Sequence, residues 1–498
     1  MNKPSLLFSQ SLLFALLALT AGCSISRSGM FENQADIGQV QVSGSIAYDS
    51  ATDSYTLTGG GHNIWGTEDA FFFAWNTTDS DLTLIADVDW PEGEKLTHRK
   101  AGWMIREGLE ANAAYVDAVA HGDGLICLQF RPEKGAETED ICFPVNTKAR
   151  MKLERDGDVY SLSVSREGGD YEPVGSVSVP MEDPVNVGLA VCSHEAGLLE
   201  TALLSNVSYE ERGPAKGPER MTESTLEIID PETKIRRVVY RAKDHFEAPN
   251  WSRDGKTLIF NQEGKIYKIP VEGGTPEQID TGDAIHCNND HGLSPDGKQL
   301  VISDAHEGRG SLIYVLDADG GTPRRVTPNA PSYWHGWSPD GKTLAYCAER
   351  NGNYDIYSIP VEGGEETRLT TAEGLDDGPD YSPDGQYIYL NSVRTGLMKI
   401  WRMKADGSEQ TQMTFGDAYG DWFPHPSPDG KKIVFLSFDS SVEGHPPNKN
   451  VALRMMDADG GEPVVIARFF GGQGTINVPS WSPDSKEIAF VTYRLVTP

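Results

Sequence analysis

Basic residues are scarce in this chain: 43 Lys and Arg stand against 74 Asp and Glu, for a net charge of −31. Binding to nucleic acid requires basic patches that neutralise phosphates, so the balance argues against that class of partner and disfavours anionic lipid surfaces, while a local groove charge can still oppose the net charge. Long apolar runs are also missing. The one candidate, residues 12–19, falls short of the roughly 20 apolar residues a spanning helix needs. It follows Met1-Asn2-Lys3 and leads into Leu19-Thr20-Ala21-Gly22-Cys23. A basic start, a short apolar core and small residues read as a secretory signal over residues 1–23. Cysteine is rare, with six in 498 residues and no pair at zinc-finger spacing. Cys127 and Cys142 lie in two apolar runs that pair as a hairpin, with a disulfide or two thiols equally open; Cys192, Cys287 and Cys347 leave the count odd. No Gly-x-Ser-x-Gly elbow occurs, so a serine hydrolase is unsupported. Gly471-Gly-Gln-Gly-Thr475 lacks the Lys and helix of a phosphate loop and reads as a close-approach loop.

A repeat is present. Trp251-Ser-Arg-Asp-Gly-Lys returns from Leu293, Trp337, Tyr381, Pro426 and Trp481, mostly as Ser-Pro-Asp-Gly-Lys, at separations of 42, 44, 44, 45 and 55 residues. Pro presets φ, Asp-Gly makes a tight reversal, and an apolar strand follows, as in Thr257-Leu-Ile-Phe260. A period of about 40–45 residues with four short strands per unit predicts a β-propeller. Leu226–Ile229 and Arg236–Tyr240 read as outer strands of a sixth blade whose inner strands come from the C-terminal motif, which hides both edges.

These six motifs resemble the TolB-like (PD40, WD40-like) propeller repeat over residues 221–498. The Ala-Gly-Cys23 ending resembles a bacterial lipobox, which implies acylation of Cys23 and a membrane-anchored lipoprotein of the cell envelope, facing periplasm or exterior. Residues 24–30 form a spacer. Residues 31–211 are strand-rich without a helix-period run; Ala101-Gly-Trp-Met-Ile-Arg106, Ala114–Val119 and Gly124–Arg131 resemble concanavalin-like sandwich domains. A Pro/Gly-rich linker at 212–220 separates the two domains. The expected fold class is therefore all-β: an N-terminal β-sandwich, then a six-bladed β-propeller. In the sandwich, His62, Trp65, Trp103, Arg106, His121, Gln129 and Arg131 could line a concave sugar face, with Trp103 and Arg106 on opposite faces of one strand.

Propeller topology sends the segment before each motif to one mouth of the central channel. Those segments carry His286, Asn288, Asn289, Asp290 and His291; Tyr333, Trp334 and His335; Asp376 and Asp377; Trp422 and His425; and Gln473 and Asn477. Loops on the same side add Arg350, His445, Asn448 and Lys449, and blade one adds His245. Three readings stay open. His286, His335, His425 and Asp377 could hold a divalent metal (Mn, Ca or Zn). Distant similarity to oligogalacturonate lyases implies β-elimination from a uronate, with His291 as base and Arg350 or Lys449 holding the carboxylate. Alternatively, the cluster binds a glycan without reaction, with Tyr333, Trp334 and Trp422 stacking on sugar rings. In the third reading the groups satisfy hydrogen bonds between blades. The leading function is glycan or polymer recognition, with the sandwich as accessory binder. The alternatives are a metal-dependent lyase or glycosidase, and a TolB-like protein scaffold. Against the scaffold, the small α/β domain expected before a TolB propeller is replaced here by the sandwich.

Overall fold

The computed structural model describes residues 28–91, 96–145, 148–216, 220–305, 308 and 310–497. The signal segment and Cys23 lie outside them. Among the described residues no helix is long and apolar enough to cross a membrane.

Five blades are four-stranded antiparallel sheets, starting with strands Phe246–Trp251, Cys287–Leu293, Ser332–Trp337, Asp376–Tyr381 and Tyr419–Pro426. The sixth joins the two ends of the propeller. Trp481 bridges Ile488, strand Ile488–Val496 follows, and Met221–Ile229 and Arg236–Ala242 complete the outside. Met221 pairs with Val496 and Ile229 with Ile488, so the seam is an unbroken ladder.

Each motif builds the same turn. Ser252 Oγ donates to Asp254 Oδ1 at 2.7 Å, and Lys256 N donates to the same oxygen at 3.1 Å. Gly255 takes φ 72°, which favours glycine; Ser485 holds the equivalent place in the last motif at φ 63° and accepts a hydrogen bond from Asp429 N. The motif tryptophans join blade to blade: Trp251 Nε1 donates to Ser480 O, Trp337 Nε1 to Gly292 O and Trp481 Nε1 to His425 O. Arg253, which replaces proline in the first motif, donates to Leu293 O and Ser294 O of the next blade.

The innermost strands of the first five blades are all irregular, with register shifts at Glu247/Asn250, Cys287/His291, Trp334/Gly336, Asp377/Asp380 and Trp422/His425. A bulge leaves backbone groups unpaired and re-aims side chains. Polar side chains on the preceding blade supply partners: Ser303 Oγ accepts from Trp334 N, Asn391 Oδ1 accepts from Phe423 N, and Asn261 Nδ2 donates to Cys287 O.

Residues 33–214 form two seven-stranded antiparallel sheets. One runs Asn33–Ile37, Phe71–Thr78, Val185–Cys192, Lys100–Arg106, Tyr115–His121, Leu125–Arg131 and Glu139–Pro144. The other runs from Tyr171–Ser178 through Ser80–Asp89 and Glu200–Pro214 to Ser45–Asp49. Leu57, Leu84, Trp103, Val116, Leu153 and Leu189, drawn from both sheets, share one core. Strand Glu200–Pro214 runs three residues beyond the expected boundary at 211. Cys127 and Cys142 form a disulfide across neighbouring strands. Trp103 and Arg106 do face opposite sides, yet both are fully buried, because Met104, Tyr115 and Phe71 build a second core on the outer face. Arg131 and Arg106 converge on the buried Asp69, at 2.7 and 3.6 Å. Trp103, Arg106, Gln129 and Arg131 are thus interior groups, while His62 and Trp65 are exposed.

Charged pairs tie the sheets to the propeller. Arg494 of the seam strand binds Asp156 and approaches Glu154, and Arg220 donates to Asp81. Ser176 Oγ accepts from Phe470 N, and Arg236 donates to Val174 O.

Candidate functional site

The bulges have a chemical consequence at the channel mouth. They turn Asn289, Asp290, His335 and Asp377 inward around a cavity of about 410 Å³, also lined by Asn288, Tyr333, Tyr354, Phe423, His445, Gln473 and Asn477. The lining comes from five consecutive blades, the sixth contributing Gln473 and Asn477 from the loop that leads into it.

At its centre His335 bridges two blades. Nε2 lies 3.2 Å from Asp377 Oδ1 and 4.0 Å from Asp290 Oδ1, and Nδ1 lies 3.2 Å from Asn477 O. Burial opposes the charge on this imidazole, but the two carboxylates and the carbonyl outweigh it and raise its pKa to about 9. The ring is therefore an imidazolium that donates from both nitrogens at neutral pH. Burial raises Asp290 to about 7 against the pull of His335, while at Asp377 the His335 hydrogen bond overcomes burial and lowers the pKa. Phe423 stacks on His335 at 5.9 Å, and His445 packs edge-on to Trp422 and Phe423.

Nine of the expected binding residues meet in this cavity: Asn288, Asn289, Asp290, Tyr333, His335, Asp377, His445, Gln473 and Asn477. Trp334 and Trp422 do not offer stacking faces; each is buried in the packing between blades, in the Trp337–Tyr346 and Phe438–Leu453 clusters respectively. Asp376 is buried in an ion pair with Arg394 at 2.7 Å. Asn448 lies outside the lining, half-buried at φ 59°.

The expected metal set does not fit an ion. His286 is exposed on the surface, with its backbone N–H on Asp304. His425 is fully buried, held by Asp380 at 3.1 Å and Ile476 O at 2.7 Å, so its two nitrogens join blades four and six. Only His335 and Asp377 come together, and they pair with each other. The expected catalytic groups separate as well. His291 is fully buried beside Asn250, and burial lowers its pKa to about 3. Arg350 turns away to Glu366, Pro331 O and Ser332. Lys449 is exposed and outside the cavity lining, and His245 pairs with Glu247 at 3.5 Å. The reading as hydrogen bonds between blades holds for His425.

Tyr354 and Phe423 lie in segments expected at the mouth and line the cavity, although neither was among the expected binding residues. Phe423 sits at a bulge with φ 53°, where strict alternation fails, and Tyr354 starts a second-to-third-strand hairpin whose length the motif does not reveal.

The TolB β-propeller domain of the PD40 class matches residues 329–445. An uncharacterized protein of Agrobacterium fabrum is 54% identical over 278 residues, which span 56% of this chain and 94% of that protein. A solved structure from Agrobacterium tumefaciens, assigned as a TolB, is 54% identical with a TM-score of 0.54, over 55% of this chain and 99% of that one. TolB from Acinetobacter baumannii is 17% identical with a TM-score of 0.39, over 69% of this chain and 81% of the other.

Proposed function

Because this chain belongs to the TolB-like β-propeller family, we propose that it is a recognition protein of the cell envelope whose channel mouth binds an oligosaccharide segment of a larger glycan. The observation that carries this reading is the composition of the cavity. Two half-exposed tyrosine rings, Tyr333 and Tyr354, flank side-chain amides at Asn288, Asn289 and Gln473 and the Asp290–His335–Asp377 group. Planar polar groups beside an aromatic face suit a ring bearing hydroxyls on its edge and C–H bonds on its face. The imidazolium offsets carboxylate charge within the site, which favours a ligand of low net charge.

The N-terminal sheets, with their concanavalin-like pattern, act as an accessory domain in this reading, and an acylated Cys23 tethers the protein to a membrane. No elimination step follows from this arrangement, since His291, Arg350 and Lys449 do not meet. A protein partner is the second reading. Asp290, buried at the mouth and titrating near 7, suits a lysine or amino terminus of an inserted peptide.

The test is calorimetric titration of the full chain with soluble peptidoglycan fragments and neutral oligosaccharides, repeated on Tyr354→Ala and His335→Gln. Saturable binding that both variants weaken supports the glycan reading. No binding to any glycan, with a protein captured by wild type and lost from both variants, moves the assignment to the peptide.

A further inference from the structure

A second cluster of ionisable side chains lies in the N-terminal domain, remote in sequence from the channel mouth. Three neighbouring strands end together at one edge of their sheet: Lys100 pairs with His121 on one side and Cys192 on the other. The turns beyond those ends carry His98, Asp123 and His194. Two backbone hydrogen bonds, Gly122 N to Arg99 O and Asp123 N to Thr97 O, lock the first two turns together. As a result, ligand-capable atoms of His98, His121 and Asp123 all lie within 4.8 Å of one another. His194 places its ring 5.1 Å from that of His98.

We propose that His98, His121 and Asp123 form a binding site for a divalent transition metal of the zinc class, with His194 as a neighbouring imidazole. Two imidazoles and one carboxylate make a donor set suited to such ions rather than to calcium or magnesium. His121 is buried with both ring nitrogens lacking a hydrogen-bond partner, which is unusual for an imidazole and leaves a lone pair available. His194 also has a buried, unpartnered Nδ1, and its backbone sits at φ 67°, a conformation rarely held by a non-glycine residue without cause. His98 and Asp123 are exposed, so side-chain rotation can close the ligands to the metal–ligand distances of about 2.0–2.2 Å that zinc requires.

Lys100 Nζ is held by Asn63 Oδ1 and Ile64 O, and Arg99 is paired with Glu200 at 2.7 Å. The site opens on a cavity of about 440 Å³ that His121 and Asp123 line together with Trp90. Three protein ligands leave a coordination position for water or an oxygen donor from that side. The other close group, Cys127, Asp140 and Cys142, is taken up by the disulfide and offers no thiolate.

The test uses untagged full-length protein, stripped with chelator and titrated with Zn²⁺ by calorimetry and with Co²⁺ by visible absorption. The expected result is one ion per chain with a structured cobalt spectrum. Asp123→Asn and His98→Gln, both surface changes, should weaken binding at least the roughly 10-fold that loss of even a supporting group costs a metal site. His286→Gln, in the propeller, should leave it unchanged. Absence of stoichiometric binding in wild type overturns the proposal, as does an affinity that Asp123→Asn and His98→Gln leave intact.

Discussion

His335 Nε2 stands 3.2 Å from Asp377 Oδ1, joining blades three and four through two buried charges at the channel mouth. Residues 42 apart in sequence meet because each lies at a bulge that turns its side chain toward the axis. Removal of one member strands the other. His335→Gln leaves Asp377 and Asp290 without their compensating cation, and loss of one partner of a buried pair costs about 3–5 kcal/mol. Urea denaturation should show a drop of that order.

The same pair sets a pH dependence. His335 has its folded pKa raised from 6.5 to about 9, so its contribution is fully present below 6.5 and is lost as pH rises through 9. At about 1.4 kcal/mol per pKa unit the contribution is about 3 kcal/mol. Asp290, raised to about 7, works in the same direction: the folded state favours its proton, and that advantage disappears as pH climbs from about 4 to 7. Urea midpoints measured from pH 5 to pH 9.5 should fall on the alkaline side in wild type, about as the shift predicts. His335→Gln should lose the part of this fall that belongs to the imidazolium, while Asp290 and Asp377, freed of its pull, titrate higher and change the slope. Equal slopes in the two proteins would contradict this assignment of charges.

Tyrosine and tryptophan at adjacent positions should behave oppositely. Tyr333 lines the cavity while Trp334 is buried in the packing between blades, 1% exposed. Trp334→Ala should cost about 3–5 kcal/mol of stability. Tyr333→Ala and Tyr354→Ala should leave the melting temperature within a few degrees, yet weaken oligosaccharide binding about 10-fold or more, since aromatic faces dominate such contacts. Binding and thermal melts on the three variants separate the roles.

That contrast also marks how far the sequence could be read. The six motif turns, four of them Ser-Pro-Asp-Gly, their period and the shared sixth blade were legible, because the turn chemistry is local: Asp254 and Gly255 make their contacts within five residues. Which face of each innermost strand meets the channel was not. Alternation would treat Trp334 and His335, or Trp422 and Phe423, by parity alone, and the bulges at Trp334/Gly336 and Trp422/His425 break that parity. His335 stands two residues before its motif and His425 one before its own, so both reach other blades but only His335 also lines the cavity. The buried Asp69 pairing with Arg106 and Arg131 was also hidden, since the covering layer comes from loops distant in the chain.

The disulfide should be separable from the channel mouth. Cys127 and Cys142 are 15 residues apart on paired strands of the N-terminal sheet. Closing a loop of that length stabilises by about 3 kcal/mol in the chain-entropy account. A Cys127→Ala/Cys142→Ala variant should unfold earlier by about that amount in the N-terminal transition, and added reductant should shift wild type but not the variant. Propeller ligand binding should be equal in both.

Arg494 joins the propeller seam to the N-terminal sheet. Its guanidinium is held by Asp156, with Glu154 at 3.5 Å and Glu223 at 3.9 Å, and these acids raise its pKa further although burial opposes the charge. Asp156 also receives Arg212 at 2.8 Å, so this side chain joins the seam strand of the propeller to the N-terminal sheet from both directions. Arg494→Gln should leave Glu154, Asp156 and Glu223 with only Lys152, Arg212 and Arg241 to offset them, and should destabilise the contact by less than the roughly 3–5 kcal/mol of a fully stranded buried charge. The N-terminal sheets have a large core of their own, and only Val159 of theirs joins the core of the seam blade, so the expected signature is two resolved calorimetric transitions, or a wider gap between them, rather than global unfolding. Lys restores the charge but not the fork that can engage two carboxylates, so Arg494→Lys should recover only part of the loss. Complete recovery by lysine would show that net charge, and not the paired geometry of the guanidinium, holds the units together.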